Sequence, residues 1–166
     1  MVCVIALALE DPSPIRAGRD AVGYSEGDAE PYLSLAVFDD VHESVVSKAA
    51  SSFASKTKAI RIGISGLGIF PNENPVIYAS VLASDSLLSL HRSLYSHLTD
   101  TVASARQVYV PGNWMPHISL NIGERKSLAS DVETLMEYPF RGEYNCLEVI
   151  VVTGPPPKVQ ERFQLT

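Results

Sequence analysis

A five-residue segment recurs 85 positions downstream of itself: Pro31-Tyr32-Leu33-Ser34-Leu35 and Pro116-His117-Ile118-Ser119-Leu120. Proline, serine and the final leucine are identical, and Leu33/Ile118 is a conservative change. An internal repeat constrains a fold more than any single element, because each copy must be built the same way. The pattern C-terminal to each copy also repeats. Over 41–56, Val45, Val46, Ala49, Ala50, Phe53 and Ala54 form one helical stripe, with Asp39 or Asp40 placed to cap it. Over 127–138 the stripe is Leu128, Val132, Leu135 and Met136, and Pro139 ends it. Each helix gives way to two strand-like runs joined by a proline-rich turn. These are 59–69 and 76–83 around 70–75, then 143–153 and 159–165 around 154–157. The pattern predicts an α+β fold made of duplicated β-α-β-β units in one domain spanning 1–166.

The remaining segments fit around that repeat. Residues 2–9 read as a leading strand, 85–99 as a helix with Leu87, Leu90, His91, Leu94 and Leu98 on one stripe, and 106–110 as a short strand. The stretch 10–30 reads as a loop with one helical turn near Ile15 to Ala21. No apolar run approaches the ~20 residues of a membrane helix. The apolar stretch 2–9 has no basic residue before it and acids after it, which reads as a strand and not a signal peptide. Cys3 and Cys146 lie in strand-like runs without a metal-ligand pattern and are expected as buried free thiols, as in a reducing cytoplasm.

Charge narrows the partners. The net charge is −6, and residues 1–45 hold nine acids against two bases. Such a chain lacks the basic footprint that grips long duplex nucleic acid. A small phosphorylated nucleotide or one end of an RNA needs only a few local donors and remains open.

In a strand, side chains i and i+2 share a face. Tyr32 and Ser34 therefore point together, as do His117 and Ser119, while Leu33, Leu35, Ile118 and Leu120 point into the core. If the repeat is also a spatial twofold, the two pairs face each other across a cleft. Opposed base-plus-hydroxyl pairs suit in-line displacement at phosphorus: one group takes a proton, another gives one, and hydroxyls hold the non-bridging oxygens. The sequence has no histidine–carboxylate cluster for a metal, and no cofactor is expected.

These motifs resemble the 2H phosphoesterase superfamily, and most closely its 2′-5′ RNA ligase-like and cyclic phosphodiesterase branches. Trp114 through Leu120 is similar to that family's WxPHxTL pattern, and Phe70-Pro71, Val76-Ile77-Tyr78 and Leu90-His91-Arg92 resemble the path between its two motifs. The resemblance implies two lobes with antiparallel sheets around a central cleft. It also implies metal-independent hydrolysis or transesterification of 2′,3′-cyclic phosphates, 2′-5′ linkages or RNA termini. His117 would be the principal acid/base, with Ser34 and Ser119 as phosphate ligands. The departure is Tyr32, where the family has its first histidine. A phenol is a serviceable donor but a poor base at neutral pH, so Tyr32 reads either as a general acid or as an aromatic filling the space of an imidazole.

Other candidates rest on local patterns. In 59–65 the isoleucines alternate with Arg61, which would face the cleft if the isoleucines pack under helices. Arg162 has the same standing on the last strand. Trp114 and Tyr24 read as stacking partners for a base or as loop anchors. His91, on an apolar stripe, reads as a core histidine. Two other functions stay open: a non-catalytic module binding a nucleotide or phosphate in the same cleft, and an interaction protein using its acidic N-terminal loop.

Overall fold

A computed structural model describes residues 1–23, 30–98, 102–122, 127–154 and 157–166. Seven strands form one antiparallel sheet: β1 (Val2–Leu9), β2 (Tyr32–Asp39), β3 (Ile60–Phe70), β4 (Val76–Val81), β5 (His117–Ile122), β6 (Gly142–Thr153) and β7 (Lys158–Gln164). The long strand β6 joins two halves. Its C-terminal part, 146–153, pairs with β1 and β7, and its N-terminal part, 142–146, pairs with β3. One lobe is therefore β2-β1-β6-β7 and the other β6-β3-β4-β5. The repeat explains this. Each motif strand (β2 or β5) starts a unit in one lobe, and the hairpin that ends the unit (β3–β4 or β6–β7) completes the other. The duplicated α+β units are those that the repeat predicts and the two lobes those that the resemblance implies; the exchange of hairpins between lobes is what the structure adds.

Among the described residues, four α-helices cover one face: α1 (Ser13–Ala21), α2 (Glu43–Ala54), α3 (Asp85–His97) and α4 (Leu128–Met136). The core lies beneath them. Leu33 and Leu35 of β2, Ile118 and Leu120 of β5, and Ile5 and Leu7 of β1 are fully buried there, each burial favouring folding by about 1.5–3 kcal/mol. Cys3 and Cys146 are buried free thiols. Among the described residues, no helix is long and apolar enough to cross a membrane.

Several local expectations are corrected. Residues 107–109 form a 3-10 turn and not a strand, closed by Tyr109 N donating to Arg106 O at 2.9 Å. Among the described residues only a single bridge, Phe38 to Ala105, reaches the edge of β2, so no ladder among them holds 106–110 extended. His42 caps α2, its Nδ1 accepting from Ser44 N at 3.3 Å. Asp39 is engaged by Arg106, and Asp40 sits in a left-handed turn at φ 57°, which moves the helix start past both acids. Val45 and Met136 are exposed and off their helices' buried faces. The helical turn expected at 15–21 extends to a full helix, α1, which packs against β5 and α4 of the opposite lobe.

Candidate functional site

Between the two motif strands lies an open cleft of about 400 Å³, lined by Tyr32, Ser34, His117 and Ser119 together. Strand alternation puts them there. Leu33, Leu35, Ile118 and Leu120 go to the core, so the intervening side chains go to the opposite face. On the first side, Tyr32 and Ser34 stand opposite Ala8 and Ala6 of β1, after a bulge between Ile5 and Ala6. Those small alanines, with Ile150 and Val152 of β6, make a shallow apolar floor on which Tyr32 packs.

On the second side, His117 and Ser119 pair with Ser80 and Tyr78 of β4. The His117 ring is enclosed edge-on by Phe70, 4.9 Å between centroids, and by Tyr78 at 5.4 Å, with Tyr109 at 6.5 Å. Gly68 makes this enclosure possible, because a Cβ there would lie 2.3 Å from Tyr78 Cζ. His117 Nδ1 lies 2.8 Å from Met115 O. A carbonyl can only accept, so Nδ1 carries the proton and Nε2 presents the lone pair. Burial pulls the His117 pKa below the ordinary 6.5, against the opposing pull of the Met115 carbonyl. The imidazole is therefore neutral at pH 7 and fit to act as a base.

Three lining residues were missed by the sequence reasoning: Arg19, Arg106 and Tyr109. Arg19 Nε donates to Ser119 O at 3.0 Å. Arg106 makes a bidentate pair with Asp39, both contacts 2.9 Å, which holds the Asp39 carboxyl below its usual range. The spacing of Ile15 and Arg19 (four apart, hence on one helix face) was the available signal for Arg19. The other two lie in a stretch misread as a strand.

The remaining candidates are placed elsewhere. Arg61 is exposed on β3 and pairs with Glu143 at 3.2 Å, in a shallow depression beside Asn145. The isoleucines do pack under the helices, but that stretch of β3 pairs with the start of β6, away from the cleft. Arg162 pairs with Glu148 at 2.7 Å beside a different hollow. Trp114 is buried: its Nε1 donates to Ser34 O at 3.0 Å and one face lies on His91, so it anchors a loop and is not among the residues lining the cleft. Tyr24 lies outside the described residues. Among the described residues, no group of three or more histidines, cysteines or carboxylates is arranged to hold a metal.

Comparison with known proteins bears on the family and the fold. The family model described as the 2′-5′ RNA ligase superfamily matches residues 8–154. Among solved structures, TT0787 of Thermus thermophilus aligns at TM-score 0.68 and 21% identity, covering 99% of this chain and 98% of its own. E. coli LigT complexed with 3′-AMP aligns at 0.62 and 17%, covering 99% and 97%. Kluyveromyces marxianus Usb1 with uridine monophosphate aligns at 0.53 and 12%, covering 99% and 98%. No curated protein sequence matches the chain.

Proposed function

Because the chain belongs to the 2′-5′ RNA ligase superfamily, we propose that it is a phosphoesterase opening 2′,3′-cyclic phosphates or cleaving 2′-5′ linkages at a nucleotide or RNA terminus, with no metal ion. The observation that carries this reading is the convergence of two i, i+2 pairs, Tyr32/Ser34 and His117/Ser119, on one cleft. Nucleotides bound by two structural relatives support a small phosphorylated substrate.

The chemistry follows from the protonation states. His117 Nε2, its ring fixed by the Met115 carbonyl, takes a proton from water as the water oxygen bonds to phosphorus. The bond from phosphorus to the 2′ or 3′ oxygen breaks, and the Tyr32 phenol gives that oxygen its proton. The Ser34 and Ser119 hydroxyls donate to the non-bridging oxygens, which gain charge in the transition state. Water is added, a phosphomonoester is formed, and solvent returns the proton from His117 to Tyr32.

The test is hydrolysis of 2′,3′-cyclic AMP in excess EDTA by wild type and His117→Ala. Metal-free turnover that falls by about 10² or more in the variant is expected. Turnover that vanishes with chelator and returns with Zn²⁺ or Mg²⁺ would sink the mechanism. Tyr32 favours one second reading, a nucleotide-binding module in the same cleft, because a phenol is a much weaker acid than the imidazolium it replaces. Stabilisation by 3′-AMP without turnover is its signature.

A further inference from the structure

Tyr109 lines the cleft, yet neither copy of the repeat contains it. It ends a 3-10 turn laid along the edge of β2, and that turn is fastened at several points. Arg106 N donates to Val37 O at 2.8 Å, and Tyr109 N donates to Arg106 O at 2.9 Å. The Arg106 guanidinium adds its two bonds of 2.9 Å to Asp39. A turn held this firmly fixes the direction in which its last side chain leaves the backbone.

The Tyr109 ring is half-buried, packs against the hydrophobic core and lies 6.5 Å from the His117 ring between centroids. Core packing accounts for the ring but not for its oxygen. Among the described residues no hydrogen bond takes up that hydroxyl. The hydroxyl of Tyr95 is also unbonded, but it is sealed inside the core, whereas Tyr109 stands at a cleft wall. A polar group desolvated without a partner calls for an explanation, and a ligand oxygen supplies one here. Desolvation raises the pKa of this phenol, against the opposing pull of the nearby Arg106 charge. The hydroxyl therefore keeps its proton at neutral pH and is a donor. A cyclic phosphodiester offers two non-bridging oxygens, each able to accept more than one such bond.

We infer that the Tyr109 hydroxyl is a phosphoryl ligand of this cleft, donating to a non-bridging oxygen as negative charge gathers there during attack. The inference rests on the phosphoesterase reading and adds to Ser34 and Ser119 a third hydroxyl, from outside the repeat. Its backbone is set by a separate turn, so its bond is made ready before the substrate arrives.

Tyr109→Phe removes one oxygen and leaves the ring, the turn and the core packing in place. Turnover of 2′,3′-cyclic AMP is measured for wild type, Tyr109→Phe, Tyr95→Phe and His117→Ala, with urea midpoints for each. The kcat of Tyr109→Phe should fall about tenfold or more, with KM moving less and the urea midpoint unchanged. Tyr95→Phe deletes a hydroxyl that is sealed from the cleft and should keep wild-type kcat. A kcat loss that both phenylalanine variants share overturns the assignment, because it reports a general loosening. Should Tyr109→Phe fail to fold, wild type with carbon-labelled tyrosine supplies the test. Its Tyr109 Cζ resonance should shift as inorganic phosphate is added, and an unmoved resonance under saturating phosphate overturns the ligand. Wild-type kcat in a folded Tyr109→Phe, with His117→Ala inactive, overturns Tyr109 and leaves the phosphoesterase reading standing. No turnover and no phosphate binding by wild type overturns both.

Discussion

The indole of Trp114 lies flat on the imidazole of His91, ring centroids 4.0 Å apart and planes 13° from parallel. Each ring holds one of two consecutive carbonyls of β2: Trp114 Nε1 donates to Ser34 O and His91 Nε2 to Leu35 O, both at 3.0 Å. The approach to the second motif thus grips the strand of the first, and the two halves of the repeat are fixed to each other at the cleft. Trp114→Phe should keep the stack and lose one hydrogen bond, for about 0.5–1.5 kcal/mol in urea denaturation. Trp114→Ala should cost about 3–5 kcal/mol. Wild-type stability in Trp114→Phe would show that stacking alone holds the strand.

Acid should loosen this grip. Burial lowers the pKa of His91, with nearby Arg92 pushing the same way and the Leu35 and Tyr109 carbonyls opposing. A histidine with a depressed folded pKa stays neutral in the native state while the unfolded chain takes up a proton below about 6.5. Its contribution is complete above that pH and is lost as pH falls through the lower folded value. The urea midpoint of wild type should drop as pH falls below about 6.5, and His91→Gln, which keeps a donor but does not titrate there, should flatten part of that slope. Parallel pH profiles in the two proteins would rule His91 out.

Tyr95 lies behind the same ring, 5.0 Å from His91 between centroids. Its hydroxyl is buried without a hydrogen-bond partner among the described residues, and desolvation pushes its pKa up to about 12. A buried hydroxyl without a partner costs about 1–3 kcal/mol. Tyr95→Phe should therefore be neutral or stabilising by about 1 kcal/mol in thermal or urea unfolding. Destabilisation by a similar amount would mean that the hydroxyl has a partner after all.

Gly68 tests how His117 is held. The Tyr78 ring crosses over Gly68, stacks on Phe70 at 4.3 Å and meets His117 edge-on. Gly68→Ala forces that ring aside, since the new methyl would overlap it, at about 1–3 kcal/mol. Turnover of a 2′,3′-cyclic nucleotide should fall in the variant at temperatures where it remains folded. Unchanged turnover would show that Tyr78 does not position the imidazole.

Much of this fold was legible because its signals are local. Period-two alternation around Pro31 and Pro116 assigned Leu33, Leu35, Ile118 and Leu120 to the core, and the opposite faces followed. Where a residue's role depends on which elements meet, the sequence falls short. Arg61 has the right face of the wrong part of β3, and only the pairing of β3 with the start of β6 reveals that. Arg19 sits on a helix that crosses to the other lobe, so nothing near it in sequence announces Ser119. Trp114 follows the pattern of a binding aromatic, yet its polar atom is taken by Ser34 O.

The substitution at the first motif gives the sharpest test. Tyr32 stands on an intact strand, opposite Ala8 and beside Ser34 in the same cleft as His117. The backbone that would aim an imidazole is therefore built. His117, neutral with its Nε2 lone pair available, can serve as base but not as acid in the same step. Tyr32→His should supply a stronger acid for the leaving oxygen, worth about 10² to 10⁴ in rate. It should also change the pH profile. With one imidazole as base, wild-type turnover should rise through the lowered pKa of His117, below 6.5, and stay level through neutral pH. With two imidazoles in opposite roles the profile should become a bell, falling again as the new histidine loses its proton. The assay is 2′,3′-cyclic AMP hydrolysis by wild type, Tyr32→His, His117→Ala and the double variant across about pH 5 to 9. Wild-type turnover indifferent to His117→Ala would end the catalytic reading. A folded Tyr32→His with neither a gain in rate nor an alkaline limb would mean that the cleft has diverged beyond one residue, and the nucleotide-binding reading would take its place.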